Sequence, residues 1–270
     1  MPKDSPLSYV ELSKGNLIHN IKVLKSFARK GSKFAVAVKG NAYGHGQNEV
    51  VKILEKYVDY FQVDGIEELE LLRRVSQKKT FVFGYVQQSD LTRAIKIKSI
   101  LTFYSLEQLR NINEYASRMK LKQEVHMPVD AELGREGFLE SEWKEIFTEV
   151  KKFKWVKLSG LYAHFANIED TNNLSYAKKQ TKKFQKAITL ARKLGFKNFQ
   201  THISATSGLL VYEKDKGIHS ILRLGIGVYG MWPSEHIKFI YKNKMELKPV
   251  LSWKTKVTQI KLIPAGHSPK

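Results

Sequence analysis

The sequence predicts an α/β fold: a (β/α)8 barrel of the TIM type, followed by the first strand of a truncated C-terminal β domain. Three observations lead there. Eight short apolar runs rich in β-branched residues recur along the chain, amphipathic stretches of helix length separate them, and the pattern changes after Pro249. Repeated βα units favour a parallel sheet, and eight of them favour a closed barrel over an open doubly wound sheet. No Gly-rich dinucleotide fingerprint follows the first run, which argues against a Rossmann arrangement.

The runs fall at 33–38, 60–63, 80–83, 99–103, 124–129, 157–162, 199–203 and 221–224. Before the first, Leu17, Ile21, Leu24 and Ala28 recur at three- and four-residue spacing, which predicts a helix over 15–28. Asp64-Gly65-Ile66-Glu67 has the form of a capping box opening the helix after the second run. From Val250 to Leu262 apolar and polar residues alternate, the period of a half-buried antiparallel strand. A single strand has nothing to pair with, so this one reads as the opening of a β domain that is mostly absent. The expected organisation is an N-terminal strand segment over 1–12, the barrel over 13–243 and the incomplete β domain over 244–270.

Composition sets outer bounds. The chain has 270 residues, 42% apolar and 27% charged, enough to bury a sizeable core. It has no cysteine, which excludes a disulfide framework, a thiol nucleophile and a thiolate metal site; no metal is expected. No signal-like or membrane-length apolar run is present, so a cytoplasmic protein without membrane contact is expected. Lys and Arg total 46 against 26 Asp and Glu, a net charge of +20. These charges are scattered through segments such as 176–193 and are not interleaved with a nucleic-acid motif, so they read as a solvated surface.

The stretch Phe34-Ala-Val-Ala-Val-Lys39-Gly-Asn-Ala-Tyr43-Gly44-His45-Gly46 is the most informative. A lysine at the mouth of a buried strand loses solvation, which lowers its pKa and frees its amine for Schiff-base chemistry. The glycines let the backbone turn sharply and approach a ligand. In a barrel of this type functional residues sit at the C-terminal ends of strands. Lys39, Arg135, His164, Thr206 and Arg223 all fall at or near such ends. Singly, each has an ordinary reading: a surface lysine, a loop arginine, a core histidine, a helix cap. Arg223 between Leu222 and Leu224 is the exception, because a buried guanidinium needs partners.

Together these motifs resemble the alanine racemases. The Lys39 string is similar to that family's cofactor-lysine motif. The others are Tyr9-Val10-Glu11-Leu12, His19-Asn20, Val129-Asp130 with Gly134-Arg135-Glu136-Gly137, Ala163-His164-Phe165-Ala166, Arg223 through Tyr229-Gly230, and Leu247-Lys248-Pro249 with Leu251-Ser252. They occur in the family's order from about Tyr9 to Gly266.

The resemblance implies an isomerase that interconverts L- and D-alanine with pyridoxal 5'-phosphate (PLP), supplying D-alanine for peptidoglycan. Lys39 would carry PLP as a Schiff base and act as one base. Tyr43, Thr206 and the backbone at Gly225 and Ile226 would hold the phosphate. Arg223 would face the pyridine nitrogen. Arg135 would bond the phenolic oxygen and help place the amino-acid substrate. His164 would bridge Arg223 and the second base. That base is a tyrosine of the β domain of the other subunit in a homodimer, and no residue of this chain matches it, so the chain alone is expected to be inactive or impaired. Pro128 stands where many members have a carbamylated lysine bracing the arginine, and Glu132 has no evident role. Two rivals remain: a single-domain PLP-binding barrel for cofactor handling, and a basic nucleic-acid-binding protein with relic motifs.

Overall fold

The structure, a computed structural model, describes residues 6–213 and 220–267. Among these, eight parallel strands form the barrel: β2 (Lys33–Ala37), β3 (Tyr60–Val63), β4 (Thr80–Val82), β5 (Ile100–Thr102), β6 (Gln123–Pro128), β7 (Val156–Tyr162), β8 (Gln200–His202) and β9 (Ile221–Leu224). Their spatial order is β8-β7-β6-β5-β4-β3-β2-β9, and every neighbouring pair is parallel. The ends meet where Ser220 N–H donates to Thr201 O at 2.9 Å and Arg223 N–H to Ser204 O at 3.1 Å. All eight runs read from the sequence are strands of this barrel.

Alternation along each strand divides the core in two. Outward residues such as Val36, Val38, Phe61, Val63, Leu101, Phe103, Val125 and Met127 are buried under the surrounding helices. Inward residues Ala35, Tyr60, Phe81, Ile100 and Ile221 fill the barrel axis, with Phe83 above them. Tyr60 stacks on Phe81 at 4.9 Å between centroids, and Phe81 on Phe83 at 5.5 Å. The interior is packed solid, as TIM barrels are, so ligand chemistry is confined to the mouth.

The first helix runs over Lys14–Ser26, and the Ser13 hydroxyl caps it by accepting from Asn16 N–H at 3.2 Å. Asn20 is fully buried and acts as a clamp. Its amide donates to Val228 O (3.0 Å) and Lys248 O (2.8 Å) and accepts from Lys248 N–H (2.8 Å). His19 Nε2 meets Glu246 O at 3.0 Å. Among the described residues, no helix is long and apolar enough to cross a membrane.

Two local expectations are corrected. The helix after β3, Ile66–Arg73, has Gly65 at its N-cap with no side-chain cap. Asp64 turns its carboxylate to Lys39 instead, and Glu68, not Glu67, reaches back to the Asp64 N–H at 2.9 Å. The expected long strand over 250–262 is shorter, β10 at Leu251–Thr255, and it does have a partner. It pairs antiparallel with β1 (Ser8–Leu12), Val10 opposite Trp253 and Leu12 opposite Leu251. The pairing closes with Lys256 N–H donating to Leu7 O at 2.8 Å, and the residues from 257 to 267 are not in a strand.

A candidate active site at the barrel mouth

The backbone leaves β2 through a left-handed turn. Gly40, Asn41, Ala42 and Tyr43 have φ of 58°, 52°, 56° and 52°. Three of these are not glycine, and each such residue costs about 1–2 kcal/mol. The turn is held by Ala42 N–H to Val38 O (2.9 Å), Gly46 N–H to Asn41 O (3.0 Å) and Gln47 N–H to Asn41 Oδ1 (2.9 Å). The His45 and Tyr43 rings pack on Tyr229 at 4.6 and 5.3 Å, and the Tyr229 hydroxyl donates to Ala37 O at 2.7 Å. The strain has a result: Lys39 and Tyr43 enter the same cavity, of about 580 Å³, which Arg135, His164, Arg223 and Gly225 also line. A second hollow of about 250 Å³ shares Tyr43, His164 and Gly225 and adds Thr206 and Ile226. The structure thus gathers every site residue proposed from the sequence.

The expected low lysine pKa is not found. Lys39 Nζ lies 2.9 Å from Asp64 Oδ2. Partial burial pulls the ammonium down, but the hydrogen bond and charge of Asp64 outweigh it, and its pKa stands above that of an ordinary lysine.

Arg223 is 6% exposed, and its guanidinium donates to Ala163 O (2.7 Å), Ile203 O (3.1 Å), His164 Nδ1 (3.1 Å) and His202 Nδ1 (2.8 Å). It also lies over the Phe83 and Tyr162 rings at 5.5 and 5.4 Å. Arginine can only donate, so both Nδ1 atoms accept and both rings are neutral with the proton on Nε2. His202 then donates from Nε2 to His126 Nδ1, 2.8 Å away. Burial, then the charge of Arg223, holds both His164 and His126 down to about 3. Burial also lowers Arg223, to about 10, which leaves it charged at neutral pH. His126 fits because Gly160 lies beneath it: a Cβ there would stand 2.3 Å from the ring. At that point the β6–β7 register steps from Val125–Leu158 to His126–Gly160.

Arg135 follows β6 in a loop pinned by Asp130, whose Oδ1 accepts from Leu133 N–H (2.9 Å) and Gly134 N–H (3.2 Å). Its partner is its neighbour Glu136, at 3.4 Å, and both line the cavity. Pro128 has no side-chain polar group to brace it. Glu132 faces away, bound to Lys179 (2.6 Å) and Lys183 (3.6 Å) on the helix Ser175–Lys193.

In the second hollow Thr206 Oγ1 accepts from Gly225 N–H at 3.1 Å, and a Cβ on Gly225 would meet the Tyr43 hydroxyl at 3.4 Å. Glycine therefore opens a space edged by a phenol and a threonine hydroxyl, groups that can donate to a phosphate. Sequence reading missed Asp64, Glu136 and His202. Asp64 met the test that selected Lys39, a polar residue ending a strand, but its sequence neighbours suggested a cap.

Residues 12–233 match the family model of the alanine racemase N-terminal domain. The chain belongs to the alanine racemase family. Membership places it among racemases, which are isomerases. The chain is 30% identical to an alanine racemase of Leptospira interrogans over 97% of its own length and 68% of that relative's. It is 31% identical to alanine racemase 1 of Caldanaerobacter subterraneus subsp. tengcongensis over 95% and 65%. Among solved structures, alanine racemase of Clostridium difficile 630 superposes with a TM-score of 0.90 at 28% identity, covering 99% of this chain and 69% of that one. The chain spans about two thirds of the length of these alanine racemases.

Proposed function

We propose that this chain binds PLP at Lys39 and carries out its share of the interconversion of L- and D-alanine. One observation carries the reading: Lys39, the Arg223–His164 pair and the Tyr43–Thr206 hollow open on adjoining cavities at one barrel mouth. The residues fit the group, with a reactive amine at one end and hydroxyl donors around a glycine-made hollow at the other. Bound there, PLP supplies an electron sink that makes the Cα–H of an amino acid acidic. Lys39 takes and returns that proton at Nζ. Arg223, a donor with no lone pair to offer, stays charged and leaves a ring nitrogen unprotonated. Arg135 orients the substrate carboxylate, and Tyr43 and Thr206 anchor the phosphate.

Racemisation also needs an acid–base group on the opposite face of Cα, and the family resemblance assigns it to a tyrosine from the β domain of a second subunit. On this reading 13–243 is the cofactor barrel, 1–12 and 244–270 lie outside it, the working form is a cytoplasmic homodimer, and the D-alanine serves peptidoglycan. Incubation with PLP, borohydride reduction and mass spectrometry test the site. Selective modification of Lys39, lost in Lys39→Ala, is the expected result. Scattered or absent modification of a folded chain overturns it.

A further inference from the structure

The reading above leaves Asp64 unused. Asp64 directly follows β3, the strand beside the one that delivers Lys39, and among the described residues Lys39 is its side chain's hydrogen-bond partner, at 2.9 Å. The two strand ends are tied together by one carboxylate. Glu68 accepts from Gly40 N–H at 2.6 Å and from Asp64 N–H at 2.9 Å, and Gln47 Nε2 donates to the Glu68 carbonyl at 2.9 Å. Those two amides belong to the residue after Lys39 and to Asp64 itself, so Glu68 fixes the separation at which the pair forms.

We propose that Asp64 is the positioning residue for Lys39, aiming its amine across the cavity mouth and keeping the proton on it, with Glu68 setting the spacing. The inference rests on the reading of Lys39 as the reactive amine. The other groups facing Nζ divide by sign. Tyr43, on the same turn, favours the charged form as Asp64 does, while Arg135 from the loop after β6 opposes it. Arg135 is itself answered by Glu136, and Arg223 and His164 stand further round the cavity. Asp64 is the one carboxylate in contact with the amine among the described residues. Its loss turns the balance toward burial and Arg135, both of which favour the neutral, nucleophilic amine.

The test is competitive labelling of the cofactor-free chain with trace acetic anhydride across a pH series, read at Lys39 by mass spectrometry. Lys22, exposed on the first helix, is the internal reference. In Asp64→Asn, which keeps the shape and removes the charge, Lys39 is expected to acetylate severalfold faster at mildly alkaline pH, its labelling curve displaced to lower pH. Asp64→Glu is expected to restore part of the displacement, and Glu68→Gln to give a smaller shift with Asp64 intact. Coincident Lys39 curves for the unaltered chain and a folded Asp64→Asn overturn the proposal. The acetylation readout needs no PLP, so the two failures are distinguishable: coincident labelling curves defeat the positioning role alone, and failure of PLP to modify Lys39 in a folded chain defeats the functional reading on which it rests.

Discussion

At the scale of single residues, Arg223 organises the site through what it cannot do. Holding a charge in a nearly closed place requires acceptors, and two carbonyls and two imidazoles provide them. Replacing it with methionine removes the charge and strands those acceptors. Leaving buried polar groups unmatched costs about 1–3 kcal/mol each, partly relieved by the charge removed, so Arg223→Met is expected to lower stability by about 2–4 kcal/mol in denaturant unfolding. The same variant should raise the His164 and His126 pKa values from about 3, followed by imidazole NMR titration. They should stop short of the ordinary value, because burial is the larger cause and persists. That arginine was legible in the sequence as a charge between two leucines. His202 was not, since nothing local distinguishes it from His126, the other strand histidine, as the one that meets the guanidinium.

At the scale of elements, the barrel strands were readable and the turns between them were not. A run such as Phe34-Ala-Val-Ala-Val announces itself because both faces of a parallel strand are buried. The turn after Lys39 does not, because Asn, Ala and Tyr carry no preference strong enough to declare a left-handed path; the local Ala42 N–H to Val38 O bond and the distant Tyr229 ring hold it. Gly40 has φ 58° and open space where a Cβ would go. Gly40→Ala therefore isolates the conformational cost and is expected to destabilise by about 1–2 kcal/mol without a clash, read from the urea midpoint. The helix boundary at Asp64 and the short β10 were misread for a related reason. Capping and strand length depend on partners far away in sequence: Lys39 for one, β1 for the other.

For the whole molecule, the buried neutral histidines set a response to acid. His126 and His164 titrate near 3 when folded and near 6.5 when unfolded, so between those limits the unfolded chain binds more protons. Stability therefore rises with pH across that window and falls as acid is added. Each histidine contributes a slope of about 1.4 kcal/mol per pH unit, and His126→Gln should remove one such increment from the measured dependence. The clasp between the first helix and residues 228–248 has a consequence in time. Asn20 emerges from the ribosome early, yet the carbonyls and the amide that satisfy its side chain belong to Val228 and Lys248. Until they are synthesised, the helix face that will be fully enclosed carries an amide better served by water than by the nascent barrel. Lys248 follows Asn20 by more than two hundred residues, so this clamp on the first helix closes only once nearly all of the barrel has been synthesised.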